Sequence, residues 1–159
     1  MTSIQPFIFL VFLILFSVPV QAQQKTNLLE ISKFVDGVTF WVMNEQGQKE
    51  KIRLIGVDTP EARRTRRTEL EYFGKEASEY MKGILTGRKV RLEYDVERYD
   101  RYKRTLAYVY LDDGTFLNAL LVKEGYASAA TFPPNVKYSE YFAKLQREAR
   151  NKKRGMWKE

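Results

Sequence analysis

The stretch LLEISKFVDGVTFWVMNEQGQKEKIRLIGV, residues 28–57, decides the fold. It contains three short runs rich in alternating, β-branched or aromatic residues, and turn signals separate them at Asp36-Gly37 and around Gly47. Short runs bounded by such turns are typical of antiparallel strands joined by hairpins. We therefore expect a three-stranded meander, with strands at residues 28–35, 39–43 and 50–57.

Downstream of this meander, the pattern of apolar residues changes from strand-like to helical and back again. Pro60 stops the meander, because proline cannot occupy a central strand. The patterns predict two more strands and three helices, the strands at residues 89–94 and 105–110 and the helices at 69–85, 116–124 and 138–153. This α+β arrangement, mainly a β barrel, predicts a five-stranded OB-type barrel with three α-helices. Such barrels bind nucleic acid or oligosaccharide on one face.

The composition narrows the chemistry that is available. The chain has 159 residues, enough for one domain, and 27 Lys and Arg against 20 Asp and Glu give a formal charge of +7. It contains no Cys and no His, which excludes disulfides, Cys/His zinc sites and every catalytic motif that requires histidine. Any catalysis must use carboxylates, Arg, Lys, Tyr or hydroxyl groups, with or without a hard metal ion. The charge favours a polyanionic partner, and solubility alone is the alternative explanation.

The first 22 residues differ in composition from the rest of the chain. They carry no charged side chain, and an apolar run from Phe7 to Val20 ends in the small-x-small cleavage pattern Val20-Gln21-Ala22. The run is shorter than the roughly 20 residues that span a membrane, so we interpret residues 1–22 as a signal peptide. An uncleaved N-terminal anchor is the alternative. Residues 23–159 would then form a single domain that is secreted or periplasmic.

Four side chains suit phosphoryl chemistry. Asp58 and Glu61 lie three residues apart on a proline turn, so that one could coordinate a hard cation while the other accepts a proton from water. Arg53 lies on the strand that leads to them, and Arg104 precedes the last predicted strand. Guanidinium forks match the phosphodiester oxygens that gain charge in the transition state. The alternative is that all four are structural turn, loop and surface charges.

Five motifs occur in a defined order along the chain: DGxT at 36–39, RLIGVDTPE at 53–61, YFGKEA at 72–77, DRYKRTLAY at 100–108 and NAxLVxxG at 118–125. In order and spacing they resemble the staphylococcal nuclease (thermonuclease) family, from about residue 31 to residue 157. The resemblance implies a five-stranded OB barrel with three helices, in agreement with the patterns above. It also implies a calcium-dependent endonuclease that cleaves DNA and RNA by metal-assisted attack of water, leaving 3′-phosphates.

The resemblance implies a catalytic group of three residues. Arg53 and Arg104 match the two arginines that hold the phosphate, and Glu61 matches the general base toward the attacking water. A carboxylate beside two arginines and a cation is a weak base. Most of the rate enhancement is therefore expected from positioning and from stabilisation of charge.

The resemblance also implies metal and substrate contacts. Asp58 and the main-chain carbonyl of Thr59 match calcium ligands. Arg101 and Tyr102 match the lysine–tyrosine pair that contacts the terminal phosphate of the substrate. The expected cofactor is therefore Ca²⁺, held by oxygen ligands.

One departure from the family concerns the metal site. The family turn reads DGDT, and its second Asp ligates calcium, whereas this chain has Val38 at that position. Valine offers no ligand atom, and calcium sites depend on the number of charged ligands. Three consequences are open: a weakened calcium site in which Asp36 or water compensates, a site that prefers Mg²⁺ or Mn²⁺, or an inactive module that only binds single-stranded nucleic acid.

Two further departures concern the substrate. Lys103 replaces a glycine, which costs on the order of 1 kcal/mol if the turn needs a positive φ, and it adds a cation. Phe132 lies where the family has a tyrosine pair, so it either stacks on a base or forms a core or lid contact. We expect single-stranded DNA or RNA as the partner, no obligate protein partner and a monomer. An anionic-glycan binder is the third alternative.

Overall fold

The computed structural model describes residues 25–60 and 73–158, and every element below lies within these ranges. The strands are β1 Leu29–Asp36, β2 Thr39–Met43, β3 Lys49–Leu54, β4 Val57–Asp58, β5 Lys89–Glu93, β6 Thr105–Leu111 and β7 Ser128–Ala129. The α-helices are α1 Gly74–Leu85, α2 Leu117–Lys123 and α3 Ser139–Asn151, and a short 3-10 helix follows at Gly155–Trp157. Within the described ranges, none of the helices combines the length and apolarity needed to cross a membrane.

Five of the strands close into a barrel in the order β1-β2-β3-β6-β5, and β5 pairs back onto β1. The pairing of β3 with β6 is parallel, with Ile52 opposite Thr105, and the other barrel pairs are antiparallel. The barrel with three α-helices confirms the predicted OB-type fold. Strand β2 has the predicted bounds, β5 and β6 each differ from their predictions by one residue at one end, and β1 differs by one residue at both ends.

The barrel interior is filled by alternate residues of each strand. On β2, Phe40 and Val42 are fully buried while Trp41 between them is partly exposed, which is the period of two that the sequence shows. On β3, Ile52 and Leu54 face the same interior. Burying each large apolar side chain contributes roughly 1.5–3 kcal/mol, so this alternation fixes the register of the sheet.

The third strand is shorter than predicted. It ends at Leu54 instead of continuing to residue 57, because Gly56 has φ +75° and turns the chain out of the barrel. The next two residues form β4, which pairs with β7 in a separate two-stranded sheet. A Cβ on Gly56 would lie 2.7 Å from Cε2 of Phe142 on α3, so this glycine also admits a close approach of the helix.

A buried amide holds the same turn from the inside. Asn118 on α2 is fully buried, and its Nδ2 donates a hydrogen bond to the carbonyl oxygen of Ile55 at 2.8 Å. Its Oδ1 accepts from the backbone N–H of Val109 on β6 at 2.9 Å. The side chain thereby satisfies two buried main-chain groups that no strand partner reaches, and it fixes the turn to the barrel wall.

A tight turn before β6 positions Arg104. The N–H of Lys103 donates to the carbonyl of Asp100, and the Asp100 N–H donates to the carbonyl of Arg104. One carboxylate oxygen of Asp100 accepts the N–H groups of Tyr102 and Arg104, both at 2.9 Å. Lys103 has φ +59°. The turn therefore needs a positive φ, and lysine at this position is strained where a glycine would not be.

Replacing Gly56 with alanine is expected to destabilise the protein by about 2–3 kcal/mol, because left-handed strain adds to overpacking against Phe142. Gly87 is the matched control, since its φ is +72° but an added Cβ meets nothing within 4 Å. We expect Gly87→Ala to cost about 1 kcal/mol, as strain alone is partly offset by lower entropy of the unfolded chain. Urea unfolding measures both, and equal losses would contradict the proposed packing of α3 on the turn.

Replacing Lys103 with glycine is expected to leave stability unchanged or raise it by up to about 1 kcal/mol, because the left-handed strain is removed. Arg101 in the same turn lies outside the left-handed region. There, glycine adds entropy to the unfolded chain and removes the exposed hydrogen bond to the Tyr102 hydroxyl, so Arg101→Gly is expected to cost about 0.5–1 kcal/mol. Thermal unfolding of both variants tests the difference, and a loss at Lys103 as large as that at Arg101 would show that the turn is unstrained.

Candidate active site

Two neighbouring cavities meet at a pair of arginines. The first, of about 240 Å³, is named here the acidic cavity, and its lining includes Asp36, Thr39, Asp58, Thr59 and Ser78. The second, of about 410 Å³, is named the aromatic groove, and its lining includes Asp100, Arg101, Tyr102 and Phe132. Arg53 and Arg104 line both cavities. A ligand that lies across the two would therefore pass the arginines.

The acidic cavity forms where the β1–β2 turn approaches the end of β4. Gly37 makes this approach possible, because a Cβ at that position would lie 2.8 Å from Thr59 Oγ1. Asp36 ends β1, and its Oδ1 accepts the N–H of Val38 at 2.9 Å, which orders the turn. The turn and β4 thus bring Asp36, at the end of β1, to one cavity with Asp58, at the end of β4, and with Thr59, which follows it.

Arg53 is held rigidly at the end of β3. Its side chain is only 13% exposed, and Nη1 donates to the carbonyl oxygens of Leu54 at 2.8 Å and Val57 at 2.9 Å. Nη2 donates to Asp58 Oδ1 at 3.0 Å. Burial lowers the pKa of Arg53, the Asp58 carboxylate opposes that shift, and the nearby Arg104 lowers it further. These contacts occupy three of the five N–H donors of Arg53, so Nε and one Nη2 proton remain for an anion.

Arg104 is oriented by Asp100. Its Nε donates to Asp100 Oδ2 at 2.6 Å, and neither terminal nitrogen donates a hydrogen bond to another of the described residues. Burial alone would raise the pKa of Asp100, but hydrogen bonds from the Arg104 N–H and guanidinium and from the Tyr102 N–H outweigh it and lower that pKa. The carboxylate therefore stays charged and keeps Arg104 in place. Sequence reasoning gave no role to Asp100, although its position four residues before Arg104 is typical of an Asx-type turn.

Aromatic side chains flank the groove. Tyr102 is 64% exposed and Phe132 is 62% exposed. The Tyr102 hydroxyl accepts a hydrogen bond from Arg101 Nη2 at 2.7 Å, and the Arg104 guanidinium lies 5.4 Å from the Tyr102 ring. Because Phe132 is exposed at the groove, it is not a core contact, and base stacking and a lid contact stay as the two alternatives. Its position fits the base-stacking alternative.

A buried asparagine fixes the loop that carries Phe132. Asn135 is 4% exposed, its Oδ1 accepts the N–H of Glu97 at 2.7 Å, and its Nδ2 donates to the Glu97 carbonyl at 2.8 Å. The N–H of Asn135 donates in turn to the carbonyl of Phe132. The two loops that line the groove are thus joined by paired hydrogen bonds, a link that was not foreseen from the sequence.

The atoms of the acidic cavity that can ligate a metal ion are all hard oxygens, and one of them has no hydrogen-bond partner among the described residues. The Thr39 hydroxyl is buried and has no hydrogen-bond partner among the described residues. Such an orphaned group costs roughly 1–3 kcal/mol unless something binds it. With the carboxylates of Asp36 and Asp58 and the carbonyl of Thr59, this set fits a hard cation. Within residues 25–60 and 73–158, no three acidic side chains lie close enough together to hold a metal ion. The set of ligands in the acidic cavity therefore carries little negative charge.

Several sequence predictions can be placed against this geometry. Val38 is 6% exposed and belongs to the apolar core while it also borders the acidic cavity, so its side chain adds surface but no ligand. Lys103 is exposed and lines neither cavity. Glu61 and the predicted signal peptide lie outside the described residues. The hydroxyls of Thr39 and Ser78 were missed, because a hydroxyl at a strand start or on a helix carries no sequence signal of its own.

Comparison with known proteins bears on this site. The family described as "Staphylococcal nuclease homologue" matches residues 51–159 of the chain. The chain is 46% identical over 127 residues to a thermonuclease of Staphylococcus intermedius, covering 80% of this chain and 74% of that protein. It is 43% identical over 128 residues to a thermonuclease of Staphylococcus hyicus, with the same two coverages.

A third relative comes from another genus. Endonuclease YncB of Bacillus subtilis (strain 168) is 35% identical over 137 residues, which cover 85% of this chain and 64% of that protein. The identity to all three relatives extends over most of the described barrel and its helices. On the matching family and these identities, the chain belongs to the staphylococcal nuclease family.

Proposed function

We propose that this protein is an endonuclease that hydrolyses phosphodiester bonds of DNA, RNA or both. The observation that carries the proposal is that Arg53 and Arg104 line both the acidic cavity and the aromatic groove. A phosphate at their junction would have guanidinium groups beside it, hard oxygen donors on one side and aromatic rings on the other. The relatives named thermonuclease and endonuclease support the same reaction class.

The two arginines act on the phosphate by charge and position. As attack proceeds, negative charge grows on the non-bridging oxygens, and preoriented N–H donors stabilise it more than they stabilise the ground state. Arg53 is preoriented by two carbonyls and Asp58, and Arg104 by Asp100. The buried contacts therefore convert two flexible side chains into fixed donors, which reduces the reorganisation that the transition state requires.

The proposed cofactor is Ca²⁺, with Mg²⁺ or Mn²⁺ as alternatives, held by Asp58, the Thr59 carbonyl and, in compensation for Val38, Asp36 and the Thr39 hydroxyl. When bound, such a cation supplies Lewis-acid polarisation of the phosphate and lowers the pKa of a coordinated water. The remaining acid–base chemistry is assigned to Glu61, three residues after Asp58, as the group that accepts the proton of the attacking water.

The groove favours an unpaired strand. Tyr102 and Phe132 expose their rings, and a base can stack on such a ring only when it is not stacked inside a duplex. Arg101 lies beside Tyr102 and can contact a terminal phosphate, and Lys103 adds a cation to the same turn. We therefore propose single-stranded nucleic acid as the preferred substrate of a monomeric enzyme. Residues 1–22 are proposed to direct its export as a signal peptide.

The second candidate function is a binding module without catalysis. It is favoured by one observation, the low charge of the acidic cavity, in which Val38 supplies no ligand. On this alternative, the arginines and aromatic rings serve affinity only. The two functions differ in whether the bound strand is cleaved when a metal ion is present.

Cleavage of heat-denatured DNA is expected to depend on a divalent cation and on Glu61. The purified protein would be titrated with Ca²⁺, Mg²⁺ and Mn²⁺ separately, against a chelator blank and a Glu61→Gln variant. Loss of the general base is expected to slow cleavage by about 100-fold or more, while strand binding is largely retained. Salt-sensitive binding with no cleavage at any metal concentration would establish the binding module instead. An unchanged rate in Glu61→Gln would show that the base is a different residue.

Replacing Val38 with aspartate is expected to lower the Ca²⁺ concentration for half-maximal cleavage by about 10-fold or more, because it adds a charged oxygen ligand. Val38→Asn is the matched control, because asparagine has nearly the size of aspartate but carries no charge. Without metal, Val38→Asp is expected to cost about 1–3 kcal/mol because the site is 6% exposed, and Ca²⁺ would restore part of it. Calcium-dependent thermal unfolding measures this, and equal metal affinity in both variants would place the cation elsewhere.

A further inference from the structure

We propose that the outer face of β1, β2 and β3 carries a further nucleotide position, formed by Lys33, Trp41 and Lys51 and named here the Trp41 platform. One additional unpaired base of a bound strand stacks on the indole ring, and the adjoining phosphates contact the two lysines. The inference rests on the proposed function, because Arg53 and Arg104 hold the strand first.

The register of the sheet puts the platform on the same face as Arg53. Thr39 is paired with Arg53, and two residues further along β2, Trp41 is paired with Lys51 on one side and Lys33 on the other. Side chains two residues apart on a strand point to one face and are separated by about 6.6 Å. The platform is therefore one row beyond Arg53, a step similar to that between successive phosphates of an extended strand.

Trp41 is accessible from solvent on this face. It is partly exposed, whereas Phe40 and Val42 on either side of it are fully buried inside the barrel. Lys51 Nζ lies 5.8 Å from the centroid of the indole ring, near the outer limit of a cation–π contact. The ammonium group can therefore move to a phosphate at small cost while a base takes its place on the ring.

The charges of the platform are available as well. In the described part of the chain, neither Lys33 nor Lys51 has an acidic group within salt-bridge distance, whereas Lys89 is paired with Glu30 at 3.1 Å. A cation without a salt bridge gains most from contact with a phosphate, because it gives up no ion pair and its approach to the strand releases counterions. The combination of two such cations around an aromatic ring is the usual composition of a single-strand binding surface.

The next row of the sheet marks where the platform ends. There Met43 is paired with Lys49 on β3 and with Glu30 on β1. The row has no aromatic ring, and it carries a carboxylate that already pairs with Lys89. The chemistry that suits a nucleotide is therefore confined to the Trp41 row, which predicts one additional nucleotide rather than a long track.

The test uses the fluorescence of Trp41. The chain has two tryptophans, so Trp157→Phe leaves Trp41 as the only reporter, and a Glu61→Gln background with Ca²⁺ present keeps the strand intact. The protein would be titrated with a thymidine dinucleotide and with an octanucleotide, whose integrity is checked by electrophoresis. We expect the octanucleotide to quench Trp41, and the dinucleotide to bind the groove without quenching it.

Variants then separate stacking from charge. Trp41→Ala is expected to weaken octanucleotide binding by about 5- to 100-fold. Dinucleotide binding is expected to stay unchanged, and its retention shows that the variant is folded. Lys51→Gln is expected to reduce the slope of log affinity against log salt by about 0.7 for the octanucleotide. Lys49→Gln, in the next row, is the matched control and is expected to change that slope less.

Three results would overturn the platform. The first is octanucleotide binding that is tighter than dinucleotide binding but neither quenches Trp41 nor responds to Trp41→Ala. The second is an abasic octanucleotide that binds and quenches as well as the thymidine one, which would show contact with the sugar-phosphate chain alone. The third is absence of binding by both oligonucleotides in every variant, which would overturn the proposed function together with the platform. Only this third result bears on the proposed function.

Discussion

The buried amide of Asn118 is the contact on which the site depends. It joins the N–H of Val109, inside the barrel wall, to the carbonyl of Ile55, in the turn where the chain leaves the barrel. Arg53 donates to the carbonyls of Leu54 and Val57, which enclose the turn, and the Ile55 N–H donates to the carbonyl of Ala107. The main-chain groups of the turn are thus satisfied by partners from three different elements. Because the same turn leads directly into β4, the position of Asp58 follows from an amide on α2.

The arrangement has a general physical logic. A cluster of cations beside carboxylates is stable only if each charge has a defined partner, since an unpaired buried charge is costly. Here each of the two arginines has its own carboxylate, Asp58 for Arg53 and Asp100 for Arg104. These pairs neutralise the arginines enough to let them approach one another. The guanidinium N–H groups that these pairs leave unused, Nε and one Nη2 proton on Arg53 and the terminal nitrogens of Arg104, would then be the donors for a bound phosphate.

Much of the barrel could be predicted from the sequence, because the inward residues of β2 and β3 alternate with outward ones and hydrophobic burial enforces that period. That Arg53 and Arg104 lie at one site was expected from the resemblance of the RLIGVDTPE and DRYKRTLAY motifs to the family, whereas spacing alone left both arginines open to structural roles. The departure of β4 from the barrel was not, because RLIGVD reads as one continuous strand unless the φ of Gly56 is known. The role of Asn135 depends on Glu97, a partner distant in the chain, and the Thr39 hydroxyl has no partner among the described residues, so local patterns do not contain that information. The partners of Asp100 are local, but the spacing alone does not show that its carboxylate holds the Arg104 side chain.

The parallel pairing of β3 with β6 has a consequence for how the protein acquires its activity. Ile52 and Thr105 are opposite each other although about 50 residues separate them in the chain. Loop-closure entropy delays such non-local pairs, so they form after hairpins and helices in the course of folding. Arg53 and Arg104 flank this pair, and they come together only when it forms. A nascent chain therefore carries no assembled site, and the arrangement of the two arginines arises together with the finished barrel.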